Sequence, residues 1–96
     1  MSIYLTAIVK SKEGASDAMK TLLQQLVVES RKENACLQYD LHQDQENPNV
    51  FIFHEIWESR KGWDLHNSQP HIADFIAGSA DFIDGTVQIY HTEKIS

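Results

Sequence analysis

The sequence predicts a single α+β domain in which helices cover one face of an antiparallel β-sheet. Strand-like and helix-like periodicities alternate in the order β-α-β-β-α-β, with the second helix interrupted. The chain of 96 residues is too short to hold two hydrophobic cores. No linker, repeat or low-complexity segment divides it, so residues 1–96 are expected to form one domain.

The first third of the chain predicts one strand and the longest helix. Residues 3–10 are rich in β-branched and aromatic side chains and have the length of a strand. Apolar residues then recur at helical spacing from Ala15 to Val27. We expect Ser16 or a neighbour to cap this helix, and the charged segment 31–34 to end it.

The middle of the chain predicts an antiparallel hairpin. Residues 36–43 and 50–58 form its strands, joined by a polar loop of about six residues. On the first strand, one face is expected to carry Leu37, Tyr39 and Leu41. The second strand has one face with Phe51, Phe53, Glu55 and Trp57 and another with Val50, Ile52, His54 and Ile56.

The last third predicts the interrupted helix and a final strand. Ser59 is a favourable N-cap for a short helix over 60–67, and Pro70 suits the first turn of a second one. Gly85 is expected to end that helix, and residues 86–93 form the last strand. The buried stripe of the second helix is expected to contain Ile72, Phe75, Ile76 and Ile83. This element order is the split β-α-β, or ferredoxin-like, arrangement.

Both faces of the predicted strands are apolar, which suggests self-association. One face packs against the helices, whereas Val50, Ile52 and Ile56 on the other would face water in a monomer. The sequence therefore predicts a homodimer in which two copies pack sheet to sheet about a two-fold axis.

The composition argues against several classes of protein. A net charge of −6, with no basic run longer than Arg60-Lys61, argues against nucleic-acid binding. The single Cys36 excludes an intrachain disulfide, and no apolar run approaches the roughly 20 residues that span a membrane. The N-terminus has no signal-peptide pattern, so we expect a cytoplasmic protein. Without an HxH or HxxxH pair or a glycine-rich phosphate loop, we expect no metal, nucleotide or flavin.

Four polar residues are candidates for catalysis. Glu55 and Trp57 share a strand face, while His66 and His71 lie on the helices that follow. An imidazole can transfer protons near neutral pH, and an indole N–H can stabilise an oxyanion. Each residue also has a structural alternative: a core aromatic for Trp57, a paired polar group for Glu55 and His66, and a solvated residue for His71. The substrate-binding residues are expected to be Phe51, Phe53, Tyr39, Trp63 and Phe75.

The pattern Glu55-x-Trp57-Glu58-Ser59 followed by His66-x-x-x-Pro70-His71 resembles the antibiotic biosynthesis monooxygenase (ABM) domain. The resemblance covers nearly the whole chain and is closest to small bacterial quinol monooxygenase-like proteins. It implies a dimeric α/β barrel and oxygenation of a quinol-like or polyphenolic aromatic by O2 without a cofactor.

The resemblance also implies roles for the candidate residues. Trp57 would stabilise the substrate anion, and His66 or His71 would carry the proton; His66 is favoured because it shares a helix side with Trp63. This chain lacks the first-strand asparagine of the haem-degrading branch. It also lacks the asparagine that anthrone-oxygenating relatives carry near the strand tryptophan.

Two alternatives remain open from the sequence. One is isomerisation of a small phosphorylated compound, for which Arg60 and Lys61 are the only neighbouring cations. The other is a dimeric protein that binds an aromatic molecule without catalysis.

Overall fold

The computed structural model describes residues 1–96 and has the predicted order of elements. The elements are β1 (Ile3–Lys10), α1 (Ser16–Ser30), β2 (Cys36–Gln43), β3 (Val50–Trp57), α2 (Arg60–Asn67), α3 (Pro70–Ser79) and β4 (Gln88–Thr92). The strands form one antiparallel sheet in the order β2-β3-β1-β4. This is the ferredoxin-like topology, so the predicted fold class is confirmed. None of the helices has the length and apolarity needed to cross a membrane.

The hydrophobic core lies between α1 and one face of the sheet. Met19 and Leu23 of α1 are fully buried, as are Phe51 and Trp57 of β3. Phe53 and Glu55 lie on the same face of β3, which confirms the predicted alternation along this strand. That alternation places a carboxyl group inside an apolar layer, where the site described below is built.

Two local predictions were wrong, one at the start of α1 and one in β2. Position Ala15 is the N-cap of α1 and has no side-chain oxygen, whereas Ser16 is the first helical residue and does not cap. We expected Leu37 to share a strand face with Tyr39, but Leu37 is 57% exposed whereas Tyr39 is buried. A β-bulge between Cys36 and Gln38 shifts the register and turns Leu37 outward.

Helix α3 is shorter than the sequence predicted. It ends at Ser79, whose carbonyl accepts hydrogen bonds from the N–H groups of Phe82 and Ile83. Ile83 therefore lies outside the helix and pairs with Ser11 in an isolated β-bridge. Ile76 was also placed wrongly in the buried stripe, because it is 63% exposed.

No helix covers the second face of the sheet, which we call the outer sheet face. It contains Tyr4 and Ile8 of β1 and Val50, Ile52 and Ile56 of β3, all half-buried. Ile8 lies directly opposite Ile52, and Tyr4 opposite Ile56. These side chains form two apolar pairs across the central strands, with the polar pair of Thr6 and the exposed His54 between them.

Helix α2 approaches the chain before β2 closely at Gly62. A Cβ atom there would lie 2.4 Å from the Ala35 Cβ atom. Ser59 fixes this turn as the predicted N-cap, since its Oγ accepts a hydrogen bond from the Gly62 N–H at 3.1 Å.

We therefore expect Gly62→Ala to lower the free energy of unfolding by about 1–3 kcal/mol, as overpacking does. The matched control is Gly78→Ala in α3, where the added Cβ would meet Leu22 at an ordinary 3.5 Å. That variant is expected to gain up to about 1 kcal/mol from helix propensity. Urea unfolding measures both, and equal effects would contradict the close packing of α2.

Candidate active site

An apolar cavity of about 220 Å³ lies between the helices and the inner face of the sheet. For comparison, a dry cavity of about 150 Å³ can hold benzene. Three polar side chains interrupt the apolar lining: Glu55, His66 and Asn67. The aromatic residues of the lining are Tyr39, Phe53, Trp63 and Phe75. The cavity therefore suits a small aromatic molecule that presents a polar group to a carboxyl and an imidazole.

Glu55 is the buried carboxyl group of this cavity. Its side chain is 7% exposed, and its Oε1 accepts a hydrogen bond from the Trp57 Nε1–H at 2.9 Å. Burial raises the pKa of Glu55 to about 7, and the nearby Glu33 carboxylate adds to the rise, while the Trp57 hydrogen bond opposes it. Glu55 can therefore be protonated or ionised near neutral pH.

Trp57 lies beneath the cavity and does not line it. The ring is fully buried and packs against His66 and Tyr39, with ring centroids 4.4 Å and 6.1 Å away. Its N–H is already donated to Glu55. The structure thus gives the predicted anion donor a different partner, and Trp57 orients Glu55 instead of facing a ligand.

His66 is held by a carboxylate outside the cavity. Its Nδ1 lies 2.6 Å from Glu33 Oε2, and His71 Nε2 lies 2.8 Å from the same oxygen. Because a carboxylate only accepts, we assign the proton of the neutral His66 ring to Nδ1. His66 Nε2 makes no hydrogen bond to the protein and is left as an acceptor. Burial lowers the pKa of His66, while Glu33 opposes this effect, so the neutral form is favoured.

The structure brings most of the predicted site residues together, with three exceptions. Glu55, His66, Tyr39, Phe53, Trp63 and Phe75 line the cavity. Phe51 and Trp57 are buried in the core without lining it. His71 lies outside, in an open polar groove of about 470 Å³ that Glu33 also lines.

Sequence reasoning missed Glu33. It belongs to the charged segment 31–34 that was interpreted only as a helix end. Its partners His66 and His71 lie 33 and 38 residues away, so no local spacing indicates the contact. A carboxylate shared by two imidazoles becomes visible only when the loop after α1 is placed beside α2 and α3.

The cluster of Glu33, His66 and His71 also has the residue types of a metal site. One ligand atom from each lies within 4.8 Å of the others. Tetrahedral zinc with bonds of about 2.0–2.1 Å would hold ligand atoms about 3.3 Å apart. The observed 2.6 Å and 2.8 Å are shorter and share one oxygen, which fits two hydrogen bonds better than one ion.

The fold and the site define a class of small α+β proteins that enclose an aromatic-sized cavity lined by a carboxyl group and an imidazole. Residues 2–78 match the sequence model of the family described as antibiotic biosynthesis monooxygenase. The chain belongs to this family.

Similar proteins come from several bacteria. YcnE of Bacillus subtilis, provisionally named a monooxygenase, is 29% identical over 91 residues, which cover 95% of this chain and 96% of YcnE. The uncharacterized protein sll1783 of Synechocystis is 28% identical over 81 residues, or 84% of this chain, and the match spans 55% of its own length. The crystal structure of PA3566 from Pseudomonas aeruginosa superimposes with a TM-score of 0.93 at 29% identity, covering 99% of this chain and 95% of PA3566.

The raised pKa of Glu55 predicts a pH-dependent stability. The folded protein holds this proton more tightly than the unfolded chain, so stability falls as the pH rises from 4.5, the ordinary pKa of a glutamate side chain, to about 7. Glu55→Gln keeps an oxygen for Trp57 and removes the ionisation. Between about pH 5 and about pH 8, the free energy of unfolding of the wild type should therefore fall by about 2–3 kcal/mol relative to that of Glu55→Gln.

Urea unfolding at several pH values measures this difference. The control is Glu58→Gln, which removes an exposed carboxylate three residues further along the chain. Burial lowers the pKa of His66, so this residue makes the protein less stable as the pH falls. The effect is present in all three proteins and cancels in the comparison. A stability difference between Glu55→Gln and wild type that does not change with pH would contradict the assignment.

Proposed function

We propose that this protein is a cofactor-independent monooxygenase that oxidises a quinol-like or polyphenolic aromatic with O2. One observation carries the proposal: a buried neutral imidazole, with Nε2 unpartnered, lines an apolar cavity of aromatic size beside a carboxyl group of raised pKa. Family membership and the name of the Bacillus relative support the same reaction class.

The reaction needs no external reductant because the substrate supplies all the electrons. His66 Nε2 removes the phenolic proton, and the apolar cavity leaves the resulting anion poorly solvated and therefore a better electron donor. Electron transfer to O2 and recombination of the two radicals form a carbon–oxygen bond. The peroxide then loses water, so a naphthoquinol and O2 become a hydroxynaphthoquinone and water.

Glu55 serves the second half of this reaction. In its protonated form it can donate a proton to the distal peroxide oxygen, which leaves as water; the C–H proton at the oxygenated carbon then passes to the Glu55 carboxylate, and that carbon becomes a carbonyl. A carboxyl group with a pKa of about 7 is suited to this step, because both protonation states are accessible near neutral pH. Trp57 keeps the carboxyl group oriented through its hydrogen bond.

The cavity favours this function over the isomerase alternative. The residues that line it include no lysine or arginine, so a phosphorylated substrate would have no cation to bind its phosphate. The non-catalytic binding alternative is separated from the oxygenase by experiment.

We also propose that the functional unit is a homodimer formed through the outer sheet face. Four of its side chains on two neighbouring strands are large and mostly apolar, namely Tyr4, Ile8, Ile52 and Ile56, and they flank the polar pair of Thr6 and His54. Burying such a patch against its own copy removes it from water and closes a two-layer barrel of two sheets.

The test is oxygen consumption by the purified protein with a reduced naphthoquinol, corrected for autoxidation. We expect consumption of one O2 per hydroxynaphthoquinone formed, by a colourless protein. Dialysis against a chelator should leave the rate unchanged, because the cluster around Glu33 is hydrogen-bonded. Ligand binding without oxygen consumption would identify a binding protein, and activity that is lost on chelation and restored by one metal would overturn the cofactor-free mechanism.

A further inference from the structure

We propose that Glu33 is the positioning residue of this site: it fixes His66 with Nδ1 protonated and Nε2 directed to the cavity, and His71 anchors Glu33 in that place. This inference rests on the proposed function for its kinetic consequences. Its structural content, the tautomer of His66 and the two contacts of Glu33, can be tested without any substrate.

The geometry singles out Glu33 because one oxygen serves both imidazoles. Oε2 lies 2.6 Å from His66 Nδ1 and 2.8 Å from His71 Nε2, distances typical of charge-assisted hydrogen bonds. Exposure increases outward, with side chains exposed by 4% for His66, 13% for Glu33 and 17% for His71. The cluster thus links the buried base to the polar groove at the surface.

The tautomer decides whether His66 can act as a base. A neutral imidazole has one protonated and one free nitrogen, so a proton fixed on Nδ1 leaves Nε2 free to accept one from the substrate. Without Glu33 the proton could occupy Nε2, and the cavity would then face a donor. Glu33 also stabilises the imidazolium that forms after proton transfer, which offsets part of the burial that lowers the pKa of His66.

His71 holds Glu33 from the other side. Glu33 belongs to the loop after α1, whereas His71 lies in the first turn of α3, so their contact fixes the loop against the helix. Apart from the His66 and His71 imidazoles, no side chain is hydrogen-bonded to the Glu33 carboxylate. Loss of the His71 N–H would therefore free the carboxylate to rotate away from His66.

The titrating groups that face His66 come from four elements. They are Glu33 from the loop after α1, His71 from α3, Glu55 from β3 and Tyr39 from β2. Burial raises the pKa of Tyr39, so this hydroxyl stays protonated. Among these groups only Glu33 is hydrogen-bonded to His66, and only His71 shares that carboxylate, so variants of Glu33 and His71 separate their effects.

The first measurement is the tautomer of His66 from long-range ¹H–¹⁵N NMR spectra. We expect an Nδ1-protonated ring in the wild type and in His71→Gln, whose amide N–H can still bond to Glu33. In Glu33→Gln the proton should move at least partly to Nε2, and the pKa of His66 should fall because its anionic partner is lost. A wild-type ring protonated on Nε2, or a Glu33→Gln spectrum unchanged from wild type, would overturn the proposal.

The second measurement is the pH profile of turnover. Glu33→Gln should lower kcat by about 10²-fold or more with KM within about threefold, and its rise of rate with pH should move to lower pH. His71→Leu should lower kcat by less than Glu33→Gln does, and His71→Gln should have a kcat close to that of the wild type. Loss of activity in Glu33→Gln with an unchanged pH midpoint would indicate only a structural role and would overturn the positioning role.

Failure of the two proposals can be told apart. If the wild type consumes no oxygen but has the expected tautomer, the function is wrong and the role of Glu33 stands. If the wild type is active and Glu33→Gln matches it in rate and spectrum, the role of Glu33 is wrong. Stoichiometric zinc bound by the purified protein with loss of both imidazole N–H signals would also overturn it.

Discussion

His66→Ala is expected to lower the turnover number for oxygen consumption by about 10²–10⁴-fold, the usual contribution of a positioned acid–base group. His66 is the one imidazole that lines the cavity, and its free Nε2 has no partner in the protein. The substitution removes the proton acceptor while leaving Glu55 and the aromatic lining in place. Substrate affinity should change much less, because the apolar contacts persist.

The control for this variant is Gln45→Ala, which removes an exposed polar side chain from the loop between β2 and β3. Its turnover should stay within about twofold of wild type, since surface substitutions away from a site have small effects. Stopped-flow or electrode measurements of initial rates compare the three proteins. Full turnover in His66→Ala together with a lower melting temperature would mean that His66 is structural.

Ile52→Asp is expected to abolish dimer formation. Ile52 lies at the centre of the outer sheet face, directly opposite Ile8 on the neighbouring strand. A carboxylate buried there against its symmetry mate would be unpaired, and desolvating it would cost several kcal/mol. Because this position still meets water in an isolated monomer, the variant is expected to be a soluble monomer. If folding requires the dimer, the variant is expected not to fold.

Light scattering of wild type and variant at micromolar concentration provides the measurement. The matched control is Ile95→Asp, which places the same charge at a residue of the C-terminal segment that is 91% exposed. The control should remain dimeric, and wild-type thermal stability should fall on dilution, as in an obligate dimer. A monomeric wild type, or a dimeric Ile52→Asp, would remove the sheet-to-sheet model.

The sequence by itself determined the layers of this protein and which side chains of β3 lie on the same face. Alternation in β3 assigned Phe53, Glu55 and Trp57 to one face, and the structure agrees because a strand has a strict two-residue period. Capping chemistry placed the start of α2 at Ser59 and of α3 at Pro70. These signals depend only on residues that are close in sequence, so they can be recognised without the folded structure.

Only the tertiary structure decided which residues of the site contact one another. The bulge that exposes Leu37, and the partners of Trp57 and Glu33, depend on register and on distances between elements far apart in sequence. Residues on one strand face looked equivalent in the sequence, yet Phe53 lines the cavity and Phe51 does not, because the helices leave a space over only one of them. The hydrogen bond between Glu33 and His66 joins residues 33 positions apart and produces no periodic pattern in the sequence. The carboxylate that holds His66 can therefore be identified only from the folded structure.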